Sequence, residues 1–151
     1  MAPSPRTTST VTDDTALPET DALVALMCLH AARFDARVDG QGGLLLLEEQ
    51  DRSLWDRALI QRGLAHLGRS ASGPTLSCYH AEAGVAAEHC LAPSYRETNW
   101  QEIVRLYEVL ERIAPSPLNV LNRAIALAEW QGPEAGLAAL EALNAPSWLL
   151  G

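Results

Sequence analysis

The segment from Trp100 to Ile113 repeats apolar residues every three or four positions. Residues at this spacing lie on one face of an α-helix, so the segment predicts an amphipathic helix with a single apolar stripe. Asn99 or Thr98 precedes the stripe as a capping residue, and Pro115 follows it. The stripe has to be covered by neighbouring elements, and short connections favour antiparallel helices in that role.

Further helices are predicted by the same spacing, by capping residues and by helix-ending Gly and Pro residues. Their expected ranges are about 21–36, 53–68, 77–91, 117–131 and 134–143. Asp51 or Ser53 is expected to cap the second of these helices. The leucine run 44–47 fits either a buried strand or the start of a buried helix, and the helical pattern after it places the run in the core beside the second helix.

The predicted helices are expected to pack as hairpins. The interval from Trp100 to Pro133 is close to one tetratricopeptide period, with an aromatic residue in its first helix and small residues in its second. The sequence therefore predicts an all-α fold of antiparallel helical hairpins stacked as a short tetratricopeptide-like repeat domain. Residues 1–18 are rich in Pro, Ser and Thr, which predicts a disordered tail ahead of one helical domain at 19–151.

The charge of the chain disfavours direct DNA binding. The formal net charge is -8, and the eleven arginines are scattered along the sequence without any lysine. Nucleic-acid affinity begins with clustered basic residues that neutralise phosphates, so no direct DNA contact is expected. The chain also has no apolar run of roughly 20 residues and no signal-like opening, which predicts a cytoplasmic protein without membrane contact.

Three stretches carry a resemblance to a known family. They are LMCLHAARFDARVDGQGG at 26–43, LLLLEEQDRSLWDRALIQRG at 44–63 and AEHCLAPSYRETNWQEIVRLYEVLERIAPSPLNVLNRAIALAEWQGPEAGLAALEAL at 87–143. They resemble the C-terminal extension of a group of extracytoplasmic-function RNA polymerase sigma factors, an extension that is itself a tetratricopeptide-like helical domain. The QDRSLWD and PSPLNVLNRA segments are the most specific parts of this resemblance.

The resemblance implies a non-enzymatic interaction or regulatory domain that takes part in DNA-templated transcription initiation. Its expected partners are the sigma core regions or RNA polymerase. The two promoter-binding regions of such a factor are absent ahead of residue 19, so no initiation activity is expected from this chain alone. The family also continues with another helical pair beyond the position of Trp148, which leads us to expect a domain truncated at its C-terminus.

The segment from Gln50 to Asp56 combines acids, an arginine and a tryptophan at a helix entry. The candidates for a charged partner-binding surface, with Trp55 as anchor and Arg52 as bidentate donor, are Gln50, Asp51, Arg52, Trp55 and Asp56. The structural alternative is a cluster of caps and salt bridges in which Trp55 belongs to the core. Both interpretations remain open at the level of sequence.

A second candidate contact surface lies in the NVLNRA segment. Asn119, Asn122 and Arg123 are three or four residues apart and can share one helix face, as the Asn and Arg residues of peptide-binding tetratricopeptide grooves do. Alternatively, the asparagines bond to neighbouring loops and fix the turn after Pro117.

The histidines do not form a convincing metal site. His80 and His89 are nine residues apart, which places them about 180° from each other around a helix of 3.6 residues per turn, so they face opposite ways. The three cysteines have no CxxC spacing, and no phosphate-binding or catalytic motif occurs. We therefore expect no metal, cofactor or catalytic residues. The alternative is a helical domain reused as a small-ligand-binding protein or enzyme, with His80, His89, Asp51 and Arg52 as its polar groups.

Overall fold

The computed structural model describes residues 10–73 and 75–142, with side chains described from Pro18 onward. This part of the chain holds six α-helices. They are α1 (Thr10–Ala31), α2 (Arg57–Ser70), α3 (Cys78–Leu91), α4 (Trp100–Ile113), α5 (Pro117–Gln131) and α6 (Pro133–Glu141). Short 3₁₀ turns at Phe34–Ala36, Leu47–Glu49 and Arg52–Leu54 lie between α1 and α2. Within the described residues, no helix is long and apolar enough to cross a membrane.

The helices form three successive antiparallel hairpins, which confirms the predicted all-α repeat-like fold. Each hairpin consists of two consecutive helices that pack against each other in opposite directions. In the first, Asp21 of α1 accepts a hydrogen bond from His66 of α2, and in the last, a Cβ on Gly136 would lie 2.7 Å from the carbonyl oxygen of Ala124. The hairpins stack because α1 of the first packs against α3 of the second, and α4 of the second packs against α5 of the third.

Two apolar clusters form most of the core. The first surrounds Trp55, which is 3% exposed, and joins α1, α2 and α3 through Leu29, Ile60 and Cys90. The second joins α3, α4 and α5. The α4 stripe predicted from sequence supplies most of it, because Ile103, Val104 and Leu106 are all buried there.

Two predicted helix boundaries are wrong. The first helix runs from Thr10 to Ala31 rather than over 21–36, because a helix nucleated downstream extends at low cost and continues through Pro18. The second begins at Arg57 rather than 53, since Asp56 supplies the cap by accepting a hydrogen bond from the amide of Leu59. The predicted end of the last helix, Leu143, lies outside the described residues.

The leucine run is neither a strand nor the start of an α-helix, and its last residue, Leu47, begins a 3₁₀ turn. The run leaves a turn in which Gly42 has φ +82, and Leu44 forms one isolated bridge with Val38. The extended backbone then alternates the side chains: Leu44 and Leu46 are exposed, whereas Leu47 packs against the Trp55 cluster. The predicted core position is therefore correct for Leu47 and wrong for Leu44 and Leu46.

Candidate functional site

Two adjoining cavities of about 370 Å³ and 430 Å³ form one open groove on the helical stack. We call it the groove. Both cavities are lined by His89 of α3, Tyr107 of α4 and Asn122 of α5, with Leu47 from the loop before α2. Helices α3 and α4 thus supply the floor of the groove. Cavities of this size accommodate a drug-sized molecule or several side chains of a peptide.

Apolar and aromatic side chains occupy much of the groove. Trp100 packs its ring edge-on against His89 and Tyr95, with ring centres 5.5 Å and 5.0 Å apart. The Tyr95 hydroxyl donates to Glu129 at 3.2 Å. Burial and the Glu129 carboxylate raise the pKa of Tyr95 to about 12, so this hydroxyl keeps its proton at neutral pH. The aromatic rings on this side of the groove are therefore neutral and fixed by packing.

His89 lies where the two cavities meet. Burial, and after it the repulsion of a further positive charge by the guanidinium groups of Arg33 and Arg52, lowers its pKa to about 4. Its Nδ1 is buried without a hydrogen-bond partner among the described residues. At neutral pH His89 is a neutral ring in the groove floor.

The Arg52 guanidinium closes the C-terminal end of α3. Its Nη1 donates to the carbonyl oxygens of His89 and Ala92 at 2.8 Å and 3.0 Å, two acceptors that the helix end leaves free. The same guanidinium stacks 4.4 Å from the ring centre of Trp55. Because Trp55 is core, the geometry favours the structural alternative for this residue, with Arg52 as the link between the core and the helix end.

The other predicted residues of the 50–56 segment also make local contacts. Asp51 accepts hydrogen bonds from the amide and hydroxyl of Ser53, which hold the pKa of its carboxyl below the usual value. Asp56 caps α2. Gln50 accepts a hydrogen bond from Nε of Arg33 at 3.4 Å. Gln50 is therefore the predicted residue of this segment that positions a side chain lining the groove.

The structure divides the second predicted set. Asn119 and Asn122 both line the groove, and Asn119 also donates to the carbonyl oxygen of Ala114, which fixes the start of α5. Arg123 is not among the groove residues. Its Nε donates to Glu111 of α4 at 2.7 Å, in a half-buried pair between neighbouring helices. The two asparagines are thus brought together and the arginine is not.

The two histidines raised as possible ligands lie apart. His80 is buried, accepts a hydrogen bond from the amide of Ser77 and lies 3.2 Å from the carbonyl oxygen of Ser70, so both ring nitrogens are used inside the fold. His89 lies in the groove instead. Within residues 10–73 and 75–142, no three His, Cys, Asp or Glu residues gather closely enough to hold a metal ion.

Several groove residues were missed from the sequence. Leu26, His30 and Arg33 line the first cavity from the end of α1 and the turn after it, together with Asn119 and Asn122 of α5. Their spacing of four and then three residues is the signal that could have found them, since such residues share one helix face. Glu82 and Glu48 also line the groove, one in each cavity.

Comparisons with known proteins find similarity over part of this chain. Residues 6–71 match a family of unknown function, DUF6596, so the match includes α1, α2 and the turns between them. The chain is 43% identical over 127 residues to an uncharacterized protein of Rhizobium meliloti (strain 1021). That alignment covers 84% of this chain and 30% of the longer relative. No solved structure matches the chain.

Proposed function

We propose that the chain is a non-enzymatic protein-interaction domain that acts in DNA-templated transcription initiation, as the C-terminal extension of a sigma factor does. The family matched by residues 6–71 is known to occur as the C-terminal part of sigma-factor-like proteins. The alignment to only 30% of the Rhizobium meliloti relative fits a domain that is also used within a longer protein. The proposed partners are the sigma core regions or RNA polymerase.

The observation that carries this proposal is the groove. Leu118 and Ile125 line it from α5, and they are 61% and 48% exposed. Large apolar side chains that are exposed beside polar groups are typical of protein contact sites. Asn119 and Asn122 lie on the same wall and supply amides that can bond to a peptide backbone.

The proposal gives the predicted residues different tasks. Asn119 and Asn122 contact the partner, and Gln50 holds Arg33 in the groove wall. Arg52 and Trp55 support the groove floor from behind, while Asp51 and Asp56 shape the turn and start α2. Direct DNA binding is not part of the proposed function, because the net charge of -8 opposes it.

The test uses a chimera in which this chain replaces the matched region of the Rhizobium meliloti relative. Core RNA polymerase, fragmented genomic DNA and either the relative, the chimera or the relative without the matched region are combined, and the new transcripts are sequenced. We expect defined start sites with the first two proteins and their loss with the third. Equal transcription without the matched region, or no defined start site with the intact relative, would refute the proposed function.

A further inference from the structure

Beside the groove, four arginine guanidinium groups gather around two histidine rings whose pKa values are lowered. We call them the arginine cluster, which comprises His30, Arg33, Arg37, Arg52, Arg57 and His89. Arg33 and Arg52 both approach the ring of Trp55, at 5.6 Å and 4.4 Å from its centre. Arg37 lies 3.2 Å from the ring nitrogen of His30. A protein of net charge -8 thus concentrates positive charge at one place.

None of the four arginines has a salt bridge within the described residues; the same holds for Arg62, Arg96 and Arg112 elsewhere on the surface, whereas Arg69, Arg105 and Arg123 each pair with a carboxylate. Repulsion inside the cluster is visible in the ionisation of its members. Burial lowers the pKa of Arg33, and the neighbouring Arg37 guanidinium lowers it further. Grouped cations of this kind raise the free energy of the folded chain, and a negatively charged ligand would remove that cost.

The cluster also lacks acceptors. Four buried polar side-chain atoms have no hydrogen-bond partner among the described residues, and they are Nε of Arg37, Nη2 of Arg52, Nε1 of Trp55 and Nδ1 of His89. The first three can only donate. All four belong to the cluster or to the tryptophan it surrounds, so the shortage of acceptors in the described chain is confined to this place.

We propose that the groove binds a peptide segment that places a carboxylate against the arginine cluster at Arg33 and apolar side chains against Leu47 and Leu118. This inference rests on the proposed function and names the chemistry of its partner. Arg33 lines the first cavity, and Gln50 holds its Nε, which leaves the terminal nitrogens of the guanidinium for a bidentate contact. Asn119 and Asn122 line the same cavity and bond to the peptide backbone.

The walls of the groove favour a peptide over a nucleic acid. Glu82 lines the first cavity and Glu48 the second, so a regular run of phosphates along the groove would meet a carboxylate in each cavity. A peptide carries its negative charge at one or two positions and presents apolar side chains between them. A phosphate backbone would make no favourable contact with the apolar side chains of Leu26, Leu47 and Leu118 that line the groove.

The test selects partners from a displayed library of random twelve-residue peptides on the full chain. We expect enrichment of sequences with one Asp or Glu beside a Leu, Ile or Phe. For a selected peptide, Arg33→Gln should weaken binding roughly 10- to 100-fold, the effect of losing a charge-assisted pair. Changing the acidic residue of the peptide to its amide should weaken binding to the wild-type chain by the same factor. It should not weaken binding to the Arg33→Gln variant any further. The matched control is Arg62→Gln, an exposed arginine of α2 outside the groove.

A second variant keeps the test independent of the packing of Arg33. Asn122→Asp adds a negative charge to the groove without changing the size of the side chain, and it should weaken the peptide about tenfold or more by repulsion. Asn99→Asp adds the same charge at the exposed cap of α4, where Asp serves equally well, and should leave binding unchanged. Circular dichroism and thermal unfolding establish that each variant is folded.

Several outcomes would overturn the proposal. One is that the wild-type chain selects no peptide more strongly than the Arg33→Gln variant does, and another is that the selected peptides lack an acidic residue. The third such outcome is that a selected peptide binds the Asn122→Asp variant as tightly as the wild-type chain. Citrate or a single-stranded DNA of twenty nucleotides that binds as tightly as the peptide, with the same sensitivity to Arg33→Gln, would assign the cluster to a free carboxylate or to nucleic acid instead. Undiminished transcription by the chimera with Arg33→Gln would refute the carboxylate contact while leaving the proposed function standing.

Discussion

Acidification should destabilise the chain through His89 in particular. The pKa of this ring is about 4 in the folded chain, against an ordinary value of 6.5, chiefly because of burial and then because of Arg33 and Arg52. The unfolded chain therefore binds a proton between these two values while the folded chain does not. The stabilising effect of the neutral ring is complete above pH 6.5 and is lost as the pH falls towards 4.

The size of the effect follows from the two pKa values. For a single group shifted in this way, the free energy of unfolding falls by about 2 kcal/mol between pH 7 and pH 5. A His89→Gln variant has no proton to bind there, so its own decrease should be smaller by that amount. Carboxylates titrate alike in both proteins, and their contribution cancels when the two decreases are subtracted.

The assay is urea unfolding of both proteins at pH 7, 6 and 5, followed by tryptophan fluorescence. The absolute stability of the variant does not enter, because each protein is compared with itself across pH. Equal decreases in the two proteins would refute the assignment of a buried, neutral His89 to the groove floor. A larger decrease in the variant would refute it as well.

Three further predictions concern the framework of the groove, and urea unfolding measures each of them. Gly63→Ala should lower the free energy of unfolding by about 1–3 kcal/mol, because its Cβ would lie 2.8 Å from a buried leucine of α1. Gly68→Ala on the same helix meets open space and should be neutral or stabilising. Equal effects of the two substitutions would contradict this packing. Asp56→Ala should cost about 1 kcal/mol through loss of the α2 cap, and Asp56→Asn should not, since Asn caps as well as Asp; a loss with Asn would contradict the capping role. Arg52→Met should cost about 1–3 kcal/mol by freeing two carbonyl groups at the end of α3, and Arg57→Met, at an exposed position, should cost little; similar losses would show that the carbonyl contacts are unimportant.

Local signals in the sequence were sufficient for most of the helices. Asn99 caps α4 and Pro117 opens α5, as their positions beside apolar stripes predict. The start of α2 was missed because Asp51, Ser53 and Asp56 are all plausible caps, and sequence spacing alone does not rank them. The structure uses Asp51 for a 3₁₀ turn and Asp56 for the helix.

The groove was only partly predictable, because it is assembled from distant segments. Asn119 and Asn122 were found as one face of a helix, but Arg123 lies about 100° around the helix from Asn122 and turns to Glu111 instead. Arg33 supplies the groove's arginine, from a segment almost ninety residues earlier. No spacing rule connects α1 to α5, so this juxtaposition depends on how the hairpins stack.

Trp55 illustrates the opposite limit. A tryptophan flanked by acids and arginines has the composition of an interface anchor, yet it is 3% exposed and packs against Leu29 and Ile60. The burial of Trp55 also explains in part why arginines lie near it, since the guanidinium groups of Arg33 and Arg52 cover its ring. The composition of the segment indicated the right part of the molecule. Only the packing distinguishes the residues that support the groove from those that line it.

The central claim, that the groove is the surface that contacts a protein partner, is tested most directly by photocrosslinking in the transcribing chimera. Benzoylphenylalanine is placed either at Leu118 in the groove or at Met27 outside it, two positions with matched exposures of 61% and 63%. The groove position is predicted to crosslink to the rest of the chimera or to a polymerase subunit, and Met27 is not. Equal crosslinking from both positions, or crosslinking from Met27 alone, would contradict the claim.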